Sequence, residues 1–290
     1  MNKKICVFIL THGRPKKQYT IKAIKDAGFV GDVFLVIDDE DKTKDQYIDA
    51  YGKSVLIFNK LEESKKTEEC DNFTNRGVIL YARNKCFDFA LSMGYDYFLQ
   101  LDDDYTGFSH ISKINGEPSK KPLKIFNKIL NSLMSFIECN EKIKTICFLQ
   151  DGDTPVGIKR YDLWEHYPFI KRKAMNSFLC KTDRKFKFIG RLNEDVNTYT
   201  LNGGLGDLFF STNLIMLHQK QTQKNTGGMT DIYIDGGTYV KSFYSVIVRP
   251  DCVTCGYKPS LGRIHHKINW DRCVPKIISE EKKLGTGALE

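Results

Sequence analysis

Short apolar segments and segments of helical character alternate along the first hundred residues. The apolar segments have the length of buried strands, and Gly28 and Gly94 stand where helices of this kind end. Such alternation is typical of a mostly parallel sheet with right-handed crossovers, so the predicted fold class is α/β, with helices flanking a central sheet. The predicted strands are 5–10, 32–37, 54–58 and 97–101, and the predicted helices are 16–27, 45–51 and 77–93.

The rest of the chain shows no linker long enough to separate independent domains, and 290 residues suffice for one large domain. Apolar spacing predicts an amphipathic helix over residues 124–140, and apolar runs predict strands at 145–149 and 242–248. Residues 107–122 are rich in Gly, Ser, Lys and Pro and are predicted to form a polar loop. Residues 285–290 have the composition of an expression scar.

Three consecutive carboxylates, Asp102, Asp103 and Asp104, directly follow the predicted strand 97–101. Adjacent acids repel one another unless a cation neutralises them, and the alternative is a solvated acidic turn. In an extended chain, Asp102 and Asp104 would point to one side and Asp103 to the other. Carboxylate oxygens are hard ligands, which suit Mg²⁺ or Mn²⁺ bridging to phosphates better than they suit zinc.

Polar clusters also follow the first two predicted strands, at residues 11–14 and 38–41. Parallel strands place their carboxyl ends at one edge of the sheet, and ligands of open α/β sheets bind beyond that edge. The coincidence of these clusters with residues 102–104 favours a metal and phosphate site over a solvated acidic turn.

Basic residues concentrate between Lys159 and Arg191. This segment holds ten Lys or Arg and three acids, so it carries +7 of the net charge of +8. Seven aromatic residues are interleaved with the charges. Basic side chains bind phosphates and aromatic faces stack on bases, so the segment predicts a polyanion partner, with a solvated surface as the alternative. The candidate nucleic-acid contacts are Lys171, Arg172, Lys173, Lys185 and Lys187.

The nine cysteines are an odd number with apolar neighbours, which indicates reduced, buried thiols and a cytoplasmic protein. The sequence has no run of eighteen apolar residues, so no membrane span is expected. A structural zinc site at Cys252 and Cys255, with His265, His266 and Cys273 downstream, is an open alternative whose second half lacks paired-ligand spacing.

The order of these motifs resembles that of nucleotide-sugar glycosyltransferases of the GT-A fold. A first strand runs into a Thr/Gly/Arg turn, a second ends in acids, and a fourth ends in Asp-x-Asp. Residues 81–84 resemble the Ala-Arg-Asn helix that precedes the Asp-x-Asp strand in many of these enzymes. Residues 192–195 resemble their Glu-Asp motif, and 263–266 resemble the segment that often supplies a C-terminal metal-binding histidine. The resemblance covers roughly residues 5–266.

A narrower resemblance rests on residues 265–270 and 275–278. They are similar to segments of phage glycosyltransferases associated with TET/JBP-type base hydroxylases, which are thought to decorate 5-hydroxymethylpyrimidines in DNA. The resemblance implies a UDP-sugar donor, a double-stranded DNA acceptor carrying hydroxymethylated bases such as 5-hydroxymethylcytosine, and, for a bacteriophage protein, the host cytoplasm. It agrees with the basic segment.

The resemblance also implies roles for individual residues. Residues 1–106 would form the nucleotide-sugar-binding half and 107–284 the acceptor-binding and catalytic half of one domain. Mn²⁺ or Mg²⁺ would be held by Asp102 and Asp104, with His265 or His266 as a further ligand. The implied donor-binding residues are Thr11, Gly13, Arg14, Asp38, Asp39, Arg83, Asp102 and Asp103.

On the acceptor side, Asp195 is the expected catalytic base, and Glu194 is expected to hold a sugar hydroxyl or to support the local fold. Arg83 is expected to pair with the diphosphate or with the acids of the second strand. Direct displacement with inversion is expected, with retention left open. The Gly-rich segments 202–207 and 226–230 are predicted to close over the donor, with ordinary turns as the alternative.

Three other functions remain open at this stage. The same fold could transfer sugar to a polysaccharide, a lipid-linked glycan or a protein. The chain could be a non-catalytic nucleic-acid-binding module, although its paired acids argue against that function. A nucleotidyltransferase would require a second set of metal-binding acids on a neighbouring strand, and the sequence shows none.

Overall fold

A computed structural model describes residues 3–114, 117–150, 169–171, 173–219, 240–259 and 262–273. The strands within these ranges are β1 (Ile5–Leu10), β2 (Asp32–Asp38), β3 (Val55–Phe58), β4 (Tyr97–Asp102), β5 (Tyr105–Ile114), β6 (Glu117–Pro122), β7 (Ile143–Gln150), β8 (Phe169–Lys171), β9 (Phe178–Lys181), β10 (Leu208–Gln219), β11 (Val253–Lys258) and β12 (Arg263–Ile268). The helices are α1 (Tyr19–Asp26), α2 (Lys44–Tyr51), α3 (Lys60–Ser64), α4 (Leu80–Ser92), α5 (Phe126–Glu138), α6 (Glu194–Gly204) and α7 (residues 240–248).

A ten-stranded sheet runs through the described residues in the order β3-β2-β1-β4-β9-β7-β10-β5-β6, with β8 paired to β10. Strands β1 to β4 pair in parallel. Strand β9 lies antiparallel between β4 and β7, β10 is parallel to β7, and β5 and β6 add antiparallel strands. The predicted α/β class and its parallel sheet are confirmed, and antiparallel strands extend the sheet. The proposed boundary between residues 106 and 107 falls inside β5, so both proposed halves contribute to one sheet.

The carboxyl ends of β1, β2 and β4 meet at one edge of the sheet, as the alternation predicted. Leu10, the last residue of β1, lies opposite Val36 on β2 and Asp102 on β4. The polar residues that follow these three strands therefore come together in space.

Both faces of the sheet are buried, which explains why the first strands are continuously apolar. Val7 and Ile9 of β1 face the core cluster that contains side chains of α1 and α5. Cys6 and Phe8 face the second cluster, which contains side chains of α4 and α6. The two-residue alternation along β1 thus gives each layer of helices its own core.

The predicted polar loop at residues 107–122 is wrong, because this region forms the hairpin of β5 and β6. Strand β5 is also hydrogen-bonded to β10. These strands form because their backbones pair with an existing sheet, and their apolar content would not have predicted them. The sequence of β6 is polar and contains Pro118 and Pro122, which is typical of an edge strand.

The predicted strand at residues 242–248 is also wrong, because these residues form α7. Its Val and Ile content is typical of strands, but its burial follows a helix. Ser242 and Ser245 are fully buried, whereas Ile247 is 64% exposed. Packing of this face against the rest of the molecule overrides local propensity.

Gly28 offers a test of close packing at the end of α1. Its φ is +86°, and a Cβ there would overlap the backbone carbonyl of Lys124. Gly94 has a similar φ of +72°, but a Cβ there would meet no atom within 4 Å. Both alanine substitutions carry the left-handed backbone cost of about 1–2 kcal/mol, so we expect Gly28→Ala to lower the free energy of unfolding clearly more than Gly94→Ala. Urea unfolding measures both, and equal losses would contradict the close contact.

Candidate active site

The three consecutive aspartates each bind a different part of the molecule. Asp102 accepts from Arg83, with 3.3 Å between Nη2 and Oδ1. Asp103 lies in the turn after β4, where the alternation predicted for an extended strand does not apply, and it contacts the end of β1: its Oδ2 lies 2.6 Å from Thr11 Oγ1, and its Oδ1 lies 3.2 Å from Arg14 Nη1.

Asp104 is also buried, with 9% of its surface exposed. It accepts from the side-chain amide of Gln219, the last residue of β10, at 3.2 and 3.3 Å. A strand from the second part of the chain therefore orients one of the predicted metal ligands.

The aspartates form a centre of negative charge that the protein neutralises only in part. Burial raises the pKa of Asp102 to about 7; Arg83 opposes that rise, and the carboxylates of Asp104, Asp103 and Glu194 add to it. Burial likewise raises the pKa of Asp103 to about 6, against the effect of Arg14. Oxygen ligands with excess negative charge suit a hard divalent cation, so the donor set fits Mg²⁺ or Mn²⁺.

The predicted histidine ligands have a different neighbourhood. His265 and His266 lie on β12, where His266 Nδ1 is 3.1 Å from Asn193 Nδ2. Among the residues that the structure describes, no three or more His, Cys, Asp or Glu side chains gather into a metal site. Asp102 and Asp104 therefore do not form such a site with the two histidines. The residues of the alternative zinc site do not form one either, and two of them, Cys252 and Cys273, belong to a small apolar cluster.

Arg83 connects the aspartates to the Glu-Asp motif. Its Nε donates to Glu194 Oε1 at 2.9 Å, and its side chain is 3% exposed. The guanidinium lies over the rings of Phe178 and Phe188, 4.9 and 5.9 Å from their centroids. Its Nη1 is buried without a hydrogen-bond partner. The expected pairing of Arg83 with the acids of the second strand is wrong, because Asp102 and Glu194 occupy its other donors.

The Glu-Asp motif begins α6 and is held by an unusual backbone conformation. Asn193 precedes the helix with φ +56°, a left-handed conformation that is uncommon outside glycine. Its side-chain amide bonds Ser245 Oγ on α7 and His266 on β12. Three elements thus fix the residue beside Glu194, and such local strain persists only where its surroundings impose it.

Asp195 has the properties of a base that works near neutral pH. Burial and the neighbouring Glu194 carboxylate raise its pKa to about 6, and the ammonium of Lys241 opposes that rise. One of its oxygens accepts from the backbone N–H of Val196 at 2.7 Å. Sequence reasoning missed Lys241 because the residue stands directly before the strand predicted at 242–248, and nothing in the sequence connects it to Asp195.

The acids at the end of β2, Asp38 and Asp39, already have hydrogen-bond partners within the protein. Asp38 accepts from His12 at 2.9 Å and from Lys60 at 3.2 Å. Burial raises its pKa, but these two partners outweigh burial and the pKa is lowered. Asp39 accepts from the side chain of Asn59 and from the backbone N–H of Lys60, at the start of α3. His12 and Lys60 were missed, although His12 stands within the polar cluster 11–14.

The turn after β1 is organised around Thr11. Its hydroxyl contacts Asp103, the Tyr47 hydroxyl at 2.8 Å and the Gln18 amide at 2.8 Å, so its hydrogen-bonding capacity is filled by protein. Thr11 therefore positions Asp103. Gly13 has φ +69° and open space around its Cβ position, which suits the predicted close approach of a ligand. Arg14 carries a buried Nε without a partner.

The basic segment does not form one continuous surface. Lys185 pairs with Asp88 on α4 at 2.7 Å, and Lys187 donates to the carbonyl of Lys66 at 3.4 Å. Lys173 lies instead near His265, since its charge lowers the pKa of that imidazole. Lys171 belongs to β8, and Arg172 lies outside the described residues.

The two predicted Gly-rich loops have different outcomes. Residues 202–204 form the last turn of α6, so the loop predicted at 202–207 is wrong for these residues. The segment 226–230 lies outside the described residues.

The bridge made by Arg83 predicts a large loss of stability when its charge is removed. Arg83→Gln would leave the carboxylates of Asp102 and Glu194 buried without a counter-charge, and breaking such a pair costs about 3–5 kcal/mol. Arg83→Lys should cost less, because it keeps the charge. Urea unfolding tests this, with Arg76→Gln as control: the Arg76–Glu40 pair is more exposed, so its loss should change the free energy of unfolding little. Equal losses for Arg83→Gln and Arg76→Gln would contradict the structural role of the bridge.

Two solved structures are similar to this chain over most of its length. Staphylococcus aureus TarS is similar at 13% identity and a TM-score of 0.42, over 83% of this chain and 39% of TarS. The glucosyl-3-phosphoglycerate synthase of Mycobacterium tuberculosis is similar at 10% identity and a TM-score of 0.46, over 96% of this chain and 88% of the synthase. This chain thus spans well under two thirds of the length of TarS. No curated protein matches the sequence.

The model of a protein family described as TET-associated glycosyltransferase matches residues 5–228, more than half of the chain. That range includes β1, the aspartates, Arg83 and the Glu-Asp motif. The chain therefore belongs to the TET-associated glycosyltransferase family, and its fold is an α/β fold with a central sheet.

Proposed function

We propose that this protein transfers a sugar from a UDP-sugar to the hydroxyl of a 5-hydroxymethylpyrimidine, such as 5-hydroxymethylcytosine, in bacteriophage DNA, with Mn²⁺ or Mg²⁺ as cofactor. One observation supports a catalytic site above all others. Through the guanidinium of Arg83, the acids at the end of β4 are joined to the Glu-Asp motif at the start of α6. The host cytoplasm is the proposed location, which agrees with nine free cysteines.

On the donor side, Asp102 and Asp104 would hold the divalent cation, which when bound supplies positive charge to the diphosphate as the sugar–phosphate bond breaks. Mg²⁺ is commonly held by one or two carboxylates together with substrate phosphates, so two aspartates are an adequate protein contribution. Gln219 orients Asp104 and Arg83 orients Asp102. The unpartnered Arg14 Nε and the open space beside the Cβ position of Gly13 would receive donor phosphates.

On the acceptor side, Asp195 would take the proton of the hydroxymethyl group as its oxygen attacks the sugar. The Val196 N–H occupies Oδ1, which leaves Oδ2 for the acceptor. Lys241 favours the ionised base at neutral pH. Glu194 is bound to Arg83, so its role is to position the motif rather than to hold a sugar hydroxyl. A base on the acceptor oxygen suits direct displacement with inversion at the sugar.

The defining experiment mixes purified protein and Mn²⁺ with a panel of UDP-sugars and duplex DNA. The DNA carries cytosine, 5-hydroxymethylcytosine or 5-hydroxymethyluracil at one position. Mass spectrometry of the digested nucleosides should show one hexose or pentose added to a hydroxymethylated base only. UDP release that is indifferent to DNA would place the acceptor among glycans or proteins instead, and no release with any donor would overturn the proposal.

The proposed metal site predicts a pH-dependent stability. The pKa values of Asp102 and Asp103, about 7 and about 6, exceed the unfolded value of 3.8. The native state therefore binds protons more tightly than the unfolded state, and the stability that this provides is present below pH 4 and lost as pH rises through 6 to 7. Mn²⁺ competes with those protons, so it should raise the melting temperature more at pH 8 than at pH 5, by roughly 5 °C at pH 8.

Thermal unfolding with and without Mn²⁺ tests this prediction. Asp102→Asn combined with Asp104→Asn should abolish the shift caused by the metal. Asp26→Asn, a change in an exposed pair with Lys22, should leave that shift intact. A full Mn²⁺ shift in the double variant would exclude these two carboxylates as metal ligands.

If Asp195 is the base, loss of its carboxylate should lower turnover without changing donor binding. Asp195→Asn should lower kcat by about 10²–10⁴-fold, because proton transfer from the acceptor is lost. UDP affinity should stay within about twofold, since the lost step follows donor binding. Wild-type turnover should rise as pH increases through about 6, where Asp195 ionises.

Asp183→Asn, a change in an exposed carboxylate that pairs with Lys181, is the control and should leave turnover unchanged. Initial rates on hydroxymethylated duplex and calorimetric UDP binding measure both variants. An Asp195→Asn enzyme with at least half of the wild-type turnover would rule out Asp195 as the base.

A further inference from the structure

Strands β11 and β12 form a two-stranded ribbon that is separate from the large sheet. Residues opposite each other in this ribbon include Lys258 with Arg263, Gly256 with His265 and Thr254 with Lys267. Opposite residues and alternate residues share one face of an antiparallel pair. We call this the basic face of the ribbon, and its charged and imidazole side chains are Lys258, Arg263, His265 and Lys267.

Within the part of the chain that the structure describes, the positively charged side chains of the basic face have no acidic partner. Lys258, Arg263 and Lys267 form no ion pair with any described residue. Gly256 has no side chain, and the Lys267 ammonium lies across it, 3.1 Å from the position that a Cβ would occupy. By contrast, Lys185 of the originally predicted basic segment is already paired with Asp88.

Two further lysines from other elements enlarge this positive region. Lys173 precedes β9, and Lys241 lies on α7. Burial, followed by the charges of Lys258, Lys241, Arg263 and Lys173, lowers the pKa of His265 to about 4. Residues from three parts of the chain thus contribute positive charge around one end of the ribbon.

The ribbon is fixed beside the proposed acceptor site. His266 bonds Asn193, the residue before Glu194. The backbone N–H of Asn269 donates to the carbonyl of Cys252 at 2.8 Å. Cys252 and Val253 are buried in a cluster with Cys273, and Val246 of α7 packs on that cluster. These contacts hold the basic face at a defined position relative to Asp195.

We propose that the basic face of β11 and β12 binds the phosphate backbone of the duplex acceptor and thereby presents the target base to Asp195. This inference rests on the proposed function. A strand of six residues is about 20 Å long, which matches about six base pairs at 3.4 Å per step. The ribbon lies beyond residue 228, where the family match ends.

The test measures DNA binding apart from catalysis. Fluorescence anisotropy follows a 20-base-pair unmodified duplex bound to wild-type protein and to a variant carrying Lys258→Gln, Arg263→Gln and Lys267→Gln, between 50 and 200 mM salt. Each lost phosphate contact removes about 0.9 from the slope of log affinity against log salt. The variant should therefore lose about 3 from that slope and roughly 10–100-fold in affinity at 50 mM salt.

Two matched variants show whether a loss of DNA binding comes from the position of the charges, from a lower net charge or from a folding defect. Lys22→Gln, Lys25→Gln and Lys128→Gln remove the same charge from α1 and α5, on the opposite side of the sheet, and should bind DNA as the wild type does. Lys258→Arg, Arg263→Lys and Lys267→Arg keep the charge and should retain the salt slope. Equal melting temperatures and equal UDP affinity establish that each variant is folded.

The outcomes distinguish this inference from the proposed function. If the Gln variant binds DNA with the wild-type slope while the wild type glycosylates hydroxymethylated DNA, the ribbon inference alone is overturned. If binding depends on the ribbon but no DNA base receives a sugar, the ribbon inference stands and the proposed acceptor is wrong. If the wild type binds no duplex, both are overturned.

Discussion

The guanidinium of Arg83 is the interaction on which the rest of the site depends. It lies over the rings of Phe178 and Phe188, donates to Asp102 at the end of β4 and donates to Glu194 at the start of α6. A charge buried in apolar surroundings is tolerated only when it is paired, so the strand end and the helix start are held in one arrangement. The planar, always charged guanidinium reaches both carboxylates at once, and a lysine ammonium lacks that geometry.

Around this bridge, the other residues of the proposed catalytic site are oriented by partners from distant parts of the chain. Gln219 of β10 holds Asp104, and Asn193 connects the Glu-Asp motif to α7 and to the ribbon. Lys241 acts on Asp195 from α7. The second part of the chain therefore orders the carboxylates proposed to bind the donor, in addition to its proposed role in binding the acceptor.

Much of the first part of the fold could be predicted from the sequence because its signals are local. The buried strands of the parallel sheet are short apolar runs, and their carboxyl ends carry visible polar clusters. The hairpin of β5 and β6 and the helix α7 could not be predicted, because backbone pairing to β10 and tertiary packing determine them. The partners of Arg83 were also beyond reach, since Glu194 lies 111 positions away along the chain. Likewise, Lys185 and Lys173 are near one another in sequence but have different surroundings in the structure.

The two histidines of β12 differ from the carboxylates of the site in the pH range over which they change their charge. With pKa values lowered to about 4 and about 3 by burial and neighbouring positive charges, His265 and His266 stay neutral at every pH at which the protein would work. The positive charge of the ribbon therefore lies on Lys258, Arg263 and Lys267, with no contribution from an imidazolium. The carboxyl groups of Asp102, Asp103 and Asp195, by contrast, have pKa values of about 7, about 6 and about 6, so they gain or lose protons near neutral pH. Mild acidification would thus change the charge of the carboxylate centre while the two histidines of the ribbon stay neutral.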